Sequence, residues 1–260
     1  MRETSLVTRH VSRLRGCHPP EFLKNHNYLI SETFMCGRFA LITPGETVLT
    51  AFEVDANPLD LAQIPPRYNI APTQPVLAVR AAANGRQREL TLFQWGLVPS
   101  WSQDPKLGAR MINARSETVA EKPAFRAAFK RRRCLIPADG FYEWQKTAGG
   151  KQPMYIHSQD ERPFALAGLW ELWQSADGST LQSCTILTTT PNELMEPIHN
   201  RMPVILDPAD YDDWLHPDPR PEIGLHLLRP YPAAKMAAYP VSSWVNSPVH
   251  DDPSCLTPLH

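Results

Sequence analysis

The chain predicts one compact α+β domain, built mainly on antiparallel β-sheet with short helices. Its apolar segments are short, separated by turn signals roughly every ten residues, and show no regular βαβ alternation. It carries 27 prolines, about twice the ordinary usage, and proline breaks helix interiors and central strands. Its 42% hydrophobic content over 260 residues is enough for a large core.

Residues 1–34 have a different texture. Arg2, Arg9, Arg13, Arg15 and Lys24 are scattered among histidines with no sustained apolar period. They are expected to form a disordered extension, or to lie upstream of the true start at Met35. The domain is expected over 35–250, with 251–260 as a tail.

Phe39, Leu41 and Ile42 suggest the first strand. Thr43-Pro44-Gly45-Glu46 has capping-box spacing and predicts a short helix through Phe52. Arg67 to Gln74 is bounded by proline and reads as a loop. Pro75–Ala81 and Glu89–Trp95 read as a hairpin about Asn84-Gly85, and Trp95 to Trp101 as an aromatic loop. Lys122–Arg131 has helical spacing. Cys134–Pro137 and Phe141–Trp144 read as strands joined at Asp139-Gly140. Met154–His157, Phe164–Trp173 and Leu181–Thr190 are further strands. Pro191–Ile198 reads as a short helix, and Val204–Leu206 as a strand. Asp207-Pro208 should cap a helix through Leu215. Pro221–Arg229 reads as a last helix and Met236–Val241 as a closing strand.

The net charge of -1 does not announce a nucleic-acid binder, so any basic surface must be local. Five cysteines without a CxxC pair argue against a disulfide framework and the usual zinc spacings. No metal and no cofactor are expected. No stretch approaches the roughly 18 apolar residues of a membrane span. The compartment expected is the cytoplasm, in association with the nucleoid.

Met35-Cys36 can be a start site. Methionine removal would then leave Cys36 with a free α-amine and a thiol on adjacent carbons. An amine condenses with an aldehyde to a Schiff base, and the thiol then closes a thiazolidine ring. Their ordinary pKa values, about 7.7–8.0 and 8.5, leave a useful minority of each nucleophile near neutral pH. Equally, Cys36 reads as a small buried hydrophobe. Glu143 shares a strand face with Phe141, either at an exposed edge or in a pocket that raises its pKa for proton transfer. His199 reads as a structural turn histidine or a proton relay. Asn113 and Arg115 share a face if extended, which suits a sugar or phosphate as well as a buried network. The aromatic loop either stacks bases or plugs the core. Arg131-Arg132-Arg133 is a phosphate track or a solvated helix end.

Taken in order, Met35-Cys36-Gly37-Arg38-Phe39, Arg67-Tyr68-Asn69-Ile70-Ala71-Pro72, Trp95-Gly96-Leu97-Val98-Pro99-Ser100-Trp101, Ile112 to Thr118, Cys134 to Trp144 and Ile198 to Pro203 resemble the motifs of the SRAP family. Pro240-Val241-Ser242 and Val245-Asn246-Ser247-Pro248 resemble its C-terminal motif. These are SOS-response-associated peptidase-like proteins that cross-link to abasic sites in single-stranded DNA. The resemblance implies a compact, largely β domain with a positively charged DNA channel. It implies Cys36 as the nucleophile, Asn113 as the positioner of the opened sugar, Glu143 as acid/base and His199 as the aid to sugar-ring opening. It implies that Arg38, Arg115 and Arg201 hold phosphates, with Asn69 nearby and the loop from Trp95 to Trp101 against bases.

On this reading the partner is single-stranded DNA containing abasic sites, the protein is a monomer, and the active form starts at Cys36. Self-processing at Met35–Cys36 and a lyase side activity accompany it. The alternatives are a cysteine peptidase acting on other proteins and a non-covalent single-strand binding module.

Overall fold

The computed structural model describes residues 36–83, 85, 87–216 and 221–259. The expectation for residues 1–34 lies outside them, as does Asn84 of the hairpin turn. In chain order the strands are β1 (Arg38–Leu41), β2 (Arg67–Ile70), β3 (Pro75–Ala81), β4 (Arg88–Trp95), β5 (Asn113–Arg115), β6 (Arg133–Ala138), β7 (Gly140–Thr147), β8 (Gly150–Ser158), β9 (Phe164–Gln174), β10 (Thr180–Thr189), β11 (Met202–Pro203), β12 (Ile205–Leu206) and β13 (Met236–Pro240). The α-helices are short: α1 (Gly45–Ala51), α2 (Arg126–Arg131), α3 (Tyr211–Leu215) and α4 (Pro221–His226).

The strands form two sheets. The first runs β13-β8-β7-β1-β2 and is antiparallel throughout. The second runs β11-β10-β4-β3-β6-β9-β12. Its β9 also pairs with β10, closing the middle of that path into a ring. Two pairings between named strands are parallel, both on β10: with β4 at Ser183 and Cys184, and with β5 from Ile186 to Thr188; an isolated parallel bridge joins Ala56 to Glu89. The α+β class and the antiparallel bias are as the sequence predicted.

The first sheet buries both faces, and its alternation shows how. Phe39, Phe141 and Ile156 join the main core between the sheets. There Phe39 meets Trp95 edge-on at 5.2 Å, and Phe141 meets Phe164 at 6.5 Å. Their strand neighbours Ala40, Tyr142 and Tyr155 face the other way, under Val241, Val245 and Cys255. The C-terminal segment is therefore a lid on the second face. Residues 251–259 belong to it: Cys255 is buried, and Val241 bridges Pro258.

Four local expectations are corrected. Thr43 caps no helix; Pro44 is the N-cap residue of α1, and the Thr43 hydroxyl donates to Asp139 instead. Arg67 to Gln74 is not all loop, since Arg67–Ile70 forms β2 at the sheet edge. Its outward N–H groups at Tyr68 and Asn69 are met by the Asp251 carboxylate. The stretch 191–198 forms consecutive turns rather than a helix. Asp207 makes no side-chain cap; it accepts from Lys235 Nζ at 2.8 Å.

Asp139 sits where β6 passes to β7 between the sheets. Its carboxylate accepts from Ile42 N at 2.5 Å, Thr43 N at 2.8 Å and the Thr43 hydroxyl. Alanine would strand two backbone donors beside β1. Asp139→Ala is expected to cost about 2–3 kcal/mol, read from the urea unfolding midpoint. A loss below about 0.5 kcal/mol, the level of an ordinary surface change, would show that this link is idle.

Candidate active site

Cys36 enters β1 with a φ of 45°. This left-handed conformation is uncommon for a residue with a Cβ and marks a locally constrained backbone. The residue is 4% exposed. Its backbone nitrogen donates to Glu143 Oε1 at 2.6 Å, and its thiol lies close enough to the Glu143 carboxyl to be raised by it. Both heteroatoms of one cysteine thus meet one carboxyl group. Glu143 is 3% exposed on β7, beside β1 in the sheet. Of its two sequence readings, the pocket is the one observed.

The electrostatics follow from burial. Desolvation raises the Glu143 carboxyl above its usual range, opposed by the nearby charge of His199 and by hydrogen bonds from Cys36. Burial also pushes the Cys36 thiol well above its ordinary value; the Glu143 charge adds to this and Arg201 opposes it. The useful minority of thiolate expected near neutral pH is therefore not favoured by this burial. Burial here favours the neutral thiol beside the Glu143 carboxyl.

His199 and Arg201 come from the turn between β10 and β11. The His199 Nδ1 faces both Arg201 N at 3.2 Å and Arg201 O at 3.3 Å. The Arg201 guanidinium grips Glu117 with two nitrogens and donates to Thr188 O at 2.7 Å. The Arg201 bond lowers the Glu117 carboxyl. Sequence reading missed Glu117, although it stands two residues after Arg115 in the same polar segment. Arg115 itself is exposed and lies opposite Thr188 in the β5–β10 register. Asn113, half-buried, starts β5 opposite Ile186.

Three expectations are corrected here. Trp95 is fully buried, and its indole N–H donates to Ile112 O at 2.9 Å. It cannot stack a base; it pins the chain just before Asn113. Gly96 helps by close approach: with φ at 126°, a Cβ there would lie 2.6 Å from Gly108 O. Arg38 and Asn69 are also buried. Arg38 donates to Asn69 Oδ1, Val245 O and Asn246 O. Asn69 Nδ2 donates to Val245 O, Ser247 O and His250 O. Together they tie down the C-terminal lid, and burial draws the Arg38 guanidinium down to about 10. Trp101, by contrast, is 61% exposed.

The run from Arg131 to Arg133 is no continuous track. Arg132 pairs with Glu171, and Arg133 is buried over the Trp214 ring with a bond to His216 O. Among the described residues no helix is long and apolar enough to cross a membrane.

The chain is 45% identical to the abasic site processing protein YoqW of Bacillus subtilis (strain 168), over 85% of this chain and 99% of that one. It is 36% identical to the abasic site processing protein HMCES of Gallus gallus, over 75% of this chain and 66% of that one. A crystal structure of a protein from Bacteroides thetaiotaomicron superposes with a TM-score of 0.77 at 26% identity, covering 86% of this chain and all of that one. A phage-related protein from Bordetella bronchiseptica gives 0.64 at 29% identity, over 79% of this chain and 94% of that one. Residues 35–248 match the family described as SOS response associated peptidase (SRAP); the chain belongs to that family.

Proposed function

We propose that this protein captures abasic sites in single-stranded DNA as a covalent thiazolidine through Cys36. The observation that carries the reading is the shared contact of the Cys36 nitrogen and thiol with Glu143. A ring-forming reaction needs both atoms at one carbon, with a proton carrier serving each in turn. Relatives named for abasic site processing support the same substrate.

The steps balance without an oxidant. An abasic sugar is mostly a closed hemiacetal. His199 protonates and releases the ring oxygen, and Glu143 accepts a proton as the aldehyde forms. The Cys36 α-amine attacks C1′, and loss of water leaves an imine. The thiol then adds across the C=N bond, its proton passing through Glu143 to the nitrogen. An open imine can also drain into β-elimination, which makes strand scission a natural side reaction.

The amine must be free, because an amide nitrogen is not nucleophilic. The active form therefore begins at Cys36, reached by initiation at Met35 and methionine removal, or by cleavage of the Met35–Cys36 bond. Arg115 and Trp101 are the exposed groups offered to phosphate and base. Cysteine peptidase activity on other proteins is the second reading, since Cys36, Glu143 and His199 also suit acyl transfer.

The test is an SDS gel after mixing the protein with an abasic oligonucleotide. Single strands and single–double junctions are expected to give the adduct much faster than continuous duplex, which cannot splay bases past Trp101. Binding before reaction should weaken with salt as phosphate contacts release counterions. Equal rates on both substrates would sink the reading. Turnover of an unrelated peptide without any DNA adduct would favour the peptidase.

A further inference from the structure

The C-terminal lid carries an aromatic pair that the reaction above does not use. Trp244 is 44% exposed. Its indole lies flat against the His250 imidazole, with centroids 3.3 Å apart and 2° between planes. The pair is fixed from several sides. Trp244 N donates to Ser242 Oγ, and its Nε1 donates to Asp252 Oδ2 at 3.1 Å. His250 Nδ1 bonds back to Trp244 O at 2.7 Å. An exposed indole held this firmly loses little freedom when a ligand covers it, which favours binding.

Through Asn246 the pair is tied, on the lid-covered face, to the strands that hold Arg38 and Trp144. The Asn246 carbonyl accepts from Arg38, two residues after Cys36. The Asn246 side chain accepts from Trp144 Nε1 at 2.7 Å, the residue after Glu143. Asn246 is thus held by both strands that carry the reacting groups, and Trp244 stands two residues before it. Nearby charge is acidic: Asp251 is paired with Arg67, and Asp252 receives the indole N–H. A phosphate gains nothing there. The flat face of a nucleobase does, because stacking needs no cation and tolerates any base.

We propose that Trp244, backed by His250, is a stacking platform for a base that flanks the lesion in the bound single strand. The inference rests on single-stranded DNA being the ligand. It adds a sequence-tolerant contact on the C-terminal lid and accounts for an exposed tryptophan braced by an imidazole.

The test uses fluorescence anisotropy with a strand containing one tetrahydrofuran residue, which mimics the abasic site and cannot form an imine. This readout is independent of the cross-link, so a failure of the thiazolidine chemistry leaves it intact. Trp244→Phe and Trp244→Leu both lose the bond to Asp252, but only phenylalanine keeps a ring. Leu is expected to weaken Kd roughly five- to hundredfold, the range of one stacked base, with Phe close to the parent. A second tetrahydrofuran placed at each flanking position in turn should weaken the parent at one position and leave the Leu variant indifferent there. Equal Kd values for Phe and Leu would overturn the platform. So would a positional dependence that survives in the Leu variant.

Discussion

Cys36→Ala abolishes the SDS-resistant adduct with an abasic single strand: this is the largest effect expected of any single substitution. The α-amine survives the change, so an imine still forms, and borohydride should trap it as a secondary amine. Without the sulfur no ring closes. The unprotected imine then partitions between hydrolysis and strand cleavage, so nicked product should rise as adduct disappears. Cys134, Cys184 and Cys255 are buried away from this pocket, and their alanine variants should retain the adduct. Need for any of those three in the covalent bond would refute the mechanism. The experiment also tests the amine. Intact mass should show a reactive form that begins at Cys36, and protein retaining residues 1–34 should give no adduct. A stable adduct from that longer form would remove the aminothiol from the argument.

Glu143→Gln is expected to slow adduct formation by about 10²–10⁴-fold, the usual worth of a positioned acid or base. Glutamine keeps an acceptor for the Cys36 nitrogen, so the geometry survives and only proton transfer is lost. The same change should stabilise the fold at neutral pH. Burial raises the folded-state pKa of Glu143, so its ionised form is disfavoured in the native protein. The parent's stability from this group is full below the unfolded value, about 4.3, and is lost as pH rises through the raised folded value. The glutamine variant carries no such loss. Its melting temperature should exceed the parent's near pH 7, with the gap closing near about pH 3.5. Rate and stability moving in opposite directions distinguish a proton carrier from a packing residue. A variant both slower and less stable at pH 7 would argue for packing alone.

The sequence disclosed strands better than it disclosed what each polar residue touches. The β3–β4 hairpin, β9 and β10 were readable because β-branched and aromatic runs ended at clear turn residues. The edge strand β2 was hidden by flanking prolines, and its second set of partners lies far along the chain at Asp251. Thr43 matched a capping box, yet the Asp139 carboxylate, 96 residues away, outcompeted the local bond. Cys36 stood out because it follows a possible start methionine, Glu143 because it interrupts an apolar strand and His199 because it sits in a polar turn; Cys36 N meets Glu143, which also feels the charge of His199. Arg38 and Asn69, which the family resemblance implied would sit at the DNA, proved to be fasteners inside the fold. Residue type alone cannot separate a group aimed at a ligand from one aimed at a carbonyl 207 residues later. Trp95 and Trp101 show the same ambiguity within one loop, one sealed in the core and the other facing solvent.

The fastening of Arg38 to Val245 and Asn246 has a consequence for synthesis. During translation, β1 leaves the ribosome early, but the carbonyls that receive its guanidinium are made more than two hundred residues later. A nascent chain therefore carries Cys36 just before a strand whose outer face is still bare. Contacts so distant along the chain form late, after the local hairpins. The cover over β1 is thus completed only by the far end of the polypeptide.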